Sequence, residues 1–233
     1  MQVQVFASGS SGNCYQISDG ETSLLLECGI PYKAIQEHTG YRVSSLAGCL
    51  ISHEHGDHAR AVTDMMKTGV DCYMSSGTAN ALKVAGHHRA KIISAHRPVT
   101  IETMTVLPFD TQHDCEEPLG FLIASKAGDK LLFITDTQYV KYRFTGITTL
   151  MIECNYSMEI LQRNVRSGLL PAALKDRIIC SHFGLESVLD FLASTDTTAL
   201  RETFLIHLSN GNSDAAWFQK AVQQVTGRPV HIA

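Results

Sequence analysis

"ISHEHGDHAR", residues Ile51–Arg60, places His53, His55, Asp57 and His58 within six consecutive positions. Folding does not require that density of imidazole and carboxylate, which gain little from burial and cost free energy when left unpaired. The stretch follows the apolar "GCLI" and precedes the helix-like "ARAVTDMM". It therefore reads as a strand-to-helix loop, where a rigid frame displays functional groups. In a locally extended chain His53 and His55 point the same way, as residues i and i+2 do. Beyond the turn at Gly56, Asp57 and His58 enter the first helical turn and face a second point. One loop thus offers ligands to two centres, and imidazole with carboxylate suits zinc, manganese or iron.

A loop alone completes neither centre. The missing ligands are expected at later strand ends, and three apolar runs finish on metal-ligand types. "TVLPFDTQHD" delivers His113, "KLLFITD" delivers Asp136 and "TFLIHLS" delivers His207.

The rest of the chain sets bounds. Its 233 residues, 44% of them hydrophobic, suit one large globular domain, taken as 1–233, or at most two small ones. A formal net charge of −4 excludes a basic nucleic-acid coat, so any nucleic-acid contact rests on a local patch or on bound metal. No run approaches the ~18 apolar residues of a membrane span. The opening "MQVQVFASGSSGN" lacks the basic and apolar regions of an export signal. The seven cysteines are odd in number and form no C-x-x-C pair. Several close apolar runs, "AGCLIS", "LMIEC" and "DRIIC" among them, and they read as reduced core thiols of a cytoplasmic protein. Cys14 and Cys115 stand near other candidate site residues.

Short apolar runs bounded by polar or glycine-rich ends, from "MQVQVF" to "TFLIHLS" and including "DRIICSH", read as strands. "MQVQVF" alternates as a half-buried strand does, whereas "LLLEC" and "LLFIT" are continuous, as in strands covered on both faces. "PYKAIQEHTG", "SGTANALKVAG", "SMEILQRNV", "GLESVLDFLAS" and "SDAAWFQKAVQQVTG" read as helices, the last with Ser213 as N-cap. The mixture predicts an α/β layered fold without internal repeats.

H-x-H-x-D-H followed by strand-end His, Asp and His resembles the metallo-β-lactamase fold of binuclear hydrolases, over nearly the whole chain. The resemblance implies a four-layer αβ/βα sandwich and two divalent metal ions, zinc, manganese or iron. His53, His55 and His113 would hold one ion, Asp57, His58 and His207 the other, and Asp136 would bridge both. "SGSSGN", "HEHGDH", "HD", "TDTQY", "ECN" and "HLS", in that order, resemble a narrower branch, the small YycJ-like (WalJ-like) hydrolases, read as DNA exonucleases. That branch implies substrate contacts from Ser10, Ser11, Asn13 and Asn155. "IICSHFGLES" is similar to the histidine loop of nuclease branches, which makes His182 a general acid beside the catalytic carboxylates Asp57 and Asp136. The chain departs from the pattern twice. Gly184 stands where the family usually has Ser or Thr, and Glu27 stands where its strand usually ends in Asp, backing the histidine loop.

The expected substrate is nucleic acid, DNA more than RNA, with no membrane partner; oligomeric state stays open. An alternative keeps the fold and changes the substrate to a carboxyl ester, thioester or lactone, since the same metals activate water against carbonyls. A third reading is a metal-stabilised binding protein without turnover. Lys83, His87, His88, Arg89, Lys91, His96 and Arg97 form either a phosphate-tracking patch or a solvated surface. Arg163, Arg166, Lys175 and Arg177 flank a Gly/Leu/Pro break and form a second candidate contact. Trp217, Phe218 and Tyr139 read as core residues, Tyr139 rather than as a base-stacking ring.

Overall fold

The computed structural model describes residues 1–233, which divide into two units. The first comprises Met1–Asp110 with Cys115–Asp129, the second Thr111–Asp114 with Lys130–Ala233.

The first unit runs β1 (Gln2–Ala7), β2 (Cys14–Ser18), β3 (Ser23–Leu26), α1 (Tyr32–His38), β4 (Gly48–Leu50), α2 (Gly56–Ala59), α3 (Val62–Lys67), β5 (Cys72–Met74), α4 (Ser76–Ala81), β6 (Ala90–Ile92), β7 (Val99–Ile101), β8 (Met104–Asp110) and β9 (Leu119–Ser125). Strands β1 to β6 lie side by side in sequence order, antiparallel from β1 to β3 and parallel from β3 to β6. Strands β7, β8 and β9 form an antiparallel run. Gln2 and Gln4 are exposed while Val3 and Val5 are half-buried, the alternation that "MQVQVF" predicts. In contrast, Leu24–Leu26 and all of β4 are buried, as parallel strands require. The core beneath them joins Leu25, Ile35, Cys49, Ile51, Met65 and Met74. Each such side chain contributes roughly 1.5–3 kcal/mol by leaving water. Cys14, Cys28, Cys49 and Cys72 sit in this core as free thiols. Burial pushes Cys14 well above the ordinary thiol range, which makes it an inert packing residue.

The second unit contains β10 (Lys130–Ile134), β11 (Thr149–Glu153), α5 (Met158–Arg166), α6 (Ala172–Ser181), α7 (Leu185–Ser194), β12 (Glu202–Ile206), α8 (Ala215–Thr226) and β13 (Val230–Ile232). Its strands are parallel in the order β10-β11-β12-β13. Helix α8 packs on α7 and β13, burying Phe218 and Val222. All the strands assort into two mixed sheets that carry helices, an α/β layered fold. No helix is long and apolar enough to cross a membrane.

Four expectations need correction. "DRIIC" is the end of helix α6, not a strand. Pro171 at the helix entry and the helix formers of "AALKDR" outweigh a run of three apolar residues, too short to fix a period. Cys180 is consequently exposed rather than buried. The N-cap of α8 is Asp214, whose carboxylate accepts from Trp217 N at 2.9 Å. Ser213 instead donates to Ser209 O at 2.6 Å. Of the aromatics assigned to the core, Phe218 is buried, but Trp217 is 37% and Tyr139 57% exposed.

Candidate metal centre

In the first unit the histidine loop leaves β4 and ends in α2. His55 is extended and occupies the N-cap position, so Asp57 and His58 fall in the first helical turn as expected. His53 and His58 are buried, whereas His55 and Asp57 are half-buried. His53 Nε2 and His55 Nδ1 stand 3.1 Å apart. Two ring nitrogens at that separation cannot both carry protons, so they call for a shared proton or a cation. His58 Nε2 lies 3.4 Å from Asp57 Oδ2. The loop thus presents a His53/His55 pair and an Asp57/His58 pair, each with ligand atoms within 4.8 Å.

Other segments hold this loop in place. Ser52 Oγ bonds His53 Nδ1 at 2.8 Å, which fixes the ring and turns Nε2 to the ligand side. Glu27, fully buried just past β3, takes the Ser52 N–H at 3.2 Å and faces His58 Nδ1 at 3.6 Å. Burial raises its carboxyl pKa, and His58 and Ser52 pull it back. Its φ of 65° is left-handed, a strained setting for a non-glycine residue. Gly29 follows, and a Cβ there would stand 1.7 Å from Asp57 O, so only glycine lets the two segments approach. Asn13 N and Nδ2 both donate to Asp57 O, at 2.7 and 3.2 Å. Asn13 Oδ1 accepts from Gly9 N and Tyr15 Oη. Asn13 is 1% exposed, and its engaged amide ties "SGSSGN" to the histidine loop. Ser10 and Ser11 are exposed at the tip of that turn.

In the second unit the ligand types come from separate segments. His113 Nδ1 bonds Ser181 O at 2.9 Å, and its Nε2 stands 3.9 Å from Asp136 Oδ2. Burial lowers its pKa, with Asp136 opposing. Asp136 and His207 follow β10 and β12 with φ of 41° and 53°. Left-handed backbone at both positions turns the chain sharply where the strand ends, at about 1–3 kcal/mol each. His207 Nδ1 lies 2.8 Å from both Asp136 Oδ1 and Glu153 Oε1.

Glu153 is the residue that the sequence reading missed. It ends β11 fully buried. Its Oε1 takes His207 Nδ1 at 2.8 Å and His182 Nδ1 at 2.7 Å, and its Oε2 takes Phe183 N at 2.9 Å and Thr137 N at 3.4 Å. The signal was present in "LMIECN", an acid closing a wholly apolar strand, where an unpaired charge is untenable. Asp136, Glu153, His182 and His207 each place one ligand atom within 4.8 Å of the others. His182 caps the C-terminus of α6, not a strand, with its side chain 22% exposed. Burial pulls its pKa down, but Glu153 and then Asp136 overcome this and push it up to about 10. Asn155 is buried and gives its Nδ2 to His207 O at 2.9 Å, which braces the segment that carries His207. Gly184 has a steric cause: a Cβ would meet the buried Tyr156 ring at 2.8 Å.

His53, His113 and His207 each have one ring nitrogen bonded to an oxygen, and His58 faces one at 3.6 Å. That arrangement fixes the tautomer and directs the other nitrogen to a cation. Imidazole and carboxylate are the donors a divalent metal takes.

A family model described as "Beta-lactamase superfamily domain" matches residues 26–208. The chain is 28% identical to exodeoxyribonuclease YycJ of Bacillus anthracis over 97% of its own length and 89% of that protein. It is 29% identical to exodeoxyribonuclease WalJ of Streptococcus pneumoniae, over 91% of this chain and 83% of the relative. Among solved structures, the metallo-β-lactamase fold protein YhfI of Bacillus subtilis superposes with a TM-score of 0.74 at 17% identity, covering 99% of this chain and 95% of that one. A diphosphatase of the PhnP family superposes at 0.70 and 12% identity, covering 99% and 93%. These two likenesses establish the fold, which is that of the metallo-β-lactamases. The family match spans most of the chain, including every ligand-type residue from His53 to His207: the protein belongs to the beta-lactamase superfamily.

Proposed function

We propose that this protein is a metal-dependent hydrolase that removes nucleotides from DNA ends, with residues 1–233 working as one domain. The observation that carries the reading is that His53, His113 and His207 each have one ring nitrogen bonded to an oxygen, which leaves the other for a cation. The names of the relatives, exodeoxyribonucleases that match over most of their length, direct it to DNA.

His53, His55 and His113 would hold one divalent cation and Asp57, His58 and His207 a second, with Asp136 shared. Bound there, such cations activate water near neutral pH and offset phosphate charge, which reconciles an acidic chain with an anionic substrate. Glu27 and Glu153 orient the imidazoles. His182, tethered through Nδ1 to Glu153, holds a proton for the departing oxygen. Ser10 and Ser11 meet the substrate strand, and Asn13 and Asn155 position ligand segments.

The test is incubation of the purified protein with end-labelled single- and double-stranded DNA, with manganese or zinc, with and without chelator. Stepwise shortening abolished by chelator is expected. No cleavage with any divalent metal, alongside turnover of lactones or thioesters, would replace this reading with the carbonyl one.

A further inference from the structure

Tyr139 is 57% exposed, and its side chain makes no hydrogen bond or ring contact. An aromatic ring left in water costs free energy that folding ordinarily recovers by burial. Mobility does not explain the exposure, because the turn beneath the ring is pinned. Thr137 is fully buried, and its hydroxyl accepts from Gln112 N at 2.9 Å and donates to Tyr139 O at 2.9 Å. Gln138 N donates to Gln112 O at 2.9 Å, and Thr137 N reaches Glu153 Oε2 at 3.4 Å. Val140, the next residue, is buried. The fold thus fixes the backbone on both sides of Tyr139 and leaves the ring outside.

Its position gives the exposure a purpose. Tyr139 stands three residues after Asp136, within about 11 Å of chain. The same hydrogen bonds join its turn to the segment that carries His113. Exposed Lys141 follows two residues on. The other well-exposed tyrosine, Tyr41, lies beyond the end of α1, 12 positions before His53.

We propose that Tyr139 is a substrate-binding residue, a platform on which the base of a nucleotide beside the cleaved phosphodiester stacks. Every base has a flat face, so a stacking ring grips any sequence, as an enzyme consuming a strand from its end requires. This inference rests on the nuclease reading above.

The test compares wild type, Tyr139→Ala and Tyr139→Phe on end-labelled single-stranded DNA, intact or with abasic residues in place of the terminal nucleotides. Tyr139→Ala is expected to raise KM about 5- to 100-fold on intact ends, the range for loss of one stacked base. On abasic ends wild type and Tyr139→Ala should agree within about 2-fold, and Tyr139→Phe should stay near wild type on both. Equal KM for wild type and Tyr139→Ala on intact ends, with cleavage preserved, overturns the platform alone. An equal rise on both ends also overturns it and marks a structural role. If wild type cleaves no DNA, the nuclease reading fails and the platform falls with it.

Discussion

The first unit draws His53, His55, Asp57 and His58 from six consecutive residues, while the second gathers His113, Asp136, His182 and His207 from segments up to 94 positions apart. The supporting carboxylates differ in the same sense. Glu27 backs one imidazole and one backbone N–H group, whereas Glu153 takes two imidazoles and two N–H groups. A local loop is positioned largely by its own backbone, with the helix start of α2 setting Asp57 and His58. Dispersed ligands have no such frame, so one buried charge must tie them together. The first unit concentrates its candidate ligands in sequence, and the second concentrates its support in one residue.

That contrast can be broken by substitution. Glu153→Ala should cause the largest loss, about 3–5 kcal/mol, because it leaves buried imidazoles and amides without their acceptor. Glu27→Ala should cost less, about 1–3 kcal/mol. Urea denaturation of the metal-free proteins measures both, and an equal or reversed order would refute the difference in support. Close approach supplies the next test. Gly29→Ala places a Cβ against backbone at Asp57 O, which cannot swing aside, and should cost about 3 kcal/mol. Gly184→Ala meets a side-chain ring and should cost nearer 1 kcal/mol. The amides supply the last pair. Asn13→Ala, which removes several buried hydrogen bonds, should cost about 2 kcal/mol, and Asn155→Ala, which removes one, about 1 kcal/mol. If instead Asn13→Ala left stability unchanged and raised KM for DNA, the earlier expectation of direct substrate contact would be restored.

The same contrast governs what could be read from the sequence. His53 to His58 announce themselves, because a dense run of ligand types between a strand and a helix has no structural cause. His113, Asp136 and His207 were found one step less directly, as ligand types that terminate apolar runs. Glu153 escaped because its partners are residues 137, 182, 183 and 207, a set that only the parallel pairing of β11 with its neighbours brings to one carboxylate. Helix α6 was misread as a strand for a related reason. "DRIIC" carries apolar residues in too short a run to show a period, and none of its five residues is buried. Asn13 and Asn155 were singled out for substrate contact; their burial and their bonds to Asp57 O and His207 O are tertiary facts. Tyr139 looked like core by composition. Its exposure follows from a turn held by Thr137 that no local pattern encodes.

The central proposal is that Asp57 and Asp136 serve a metal-dependent reaction on DNA. The most direct measurement is cleavage of end-labelled single- and double-stranded DNA with manganese or zinc by wild type, Asp57→Ala and Asp136→Ala, with metal content determined on the same samples. The account expects stepwise products from wild type, less bound metal in both variants, and a loss of cleavage of at least about 100-fold in each. Cleavage that survives either substitution at the wild-type rate would contradict it.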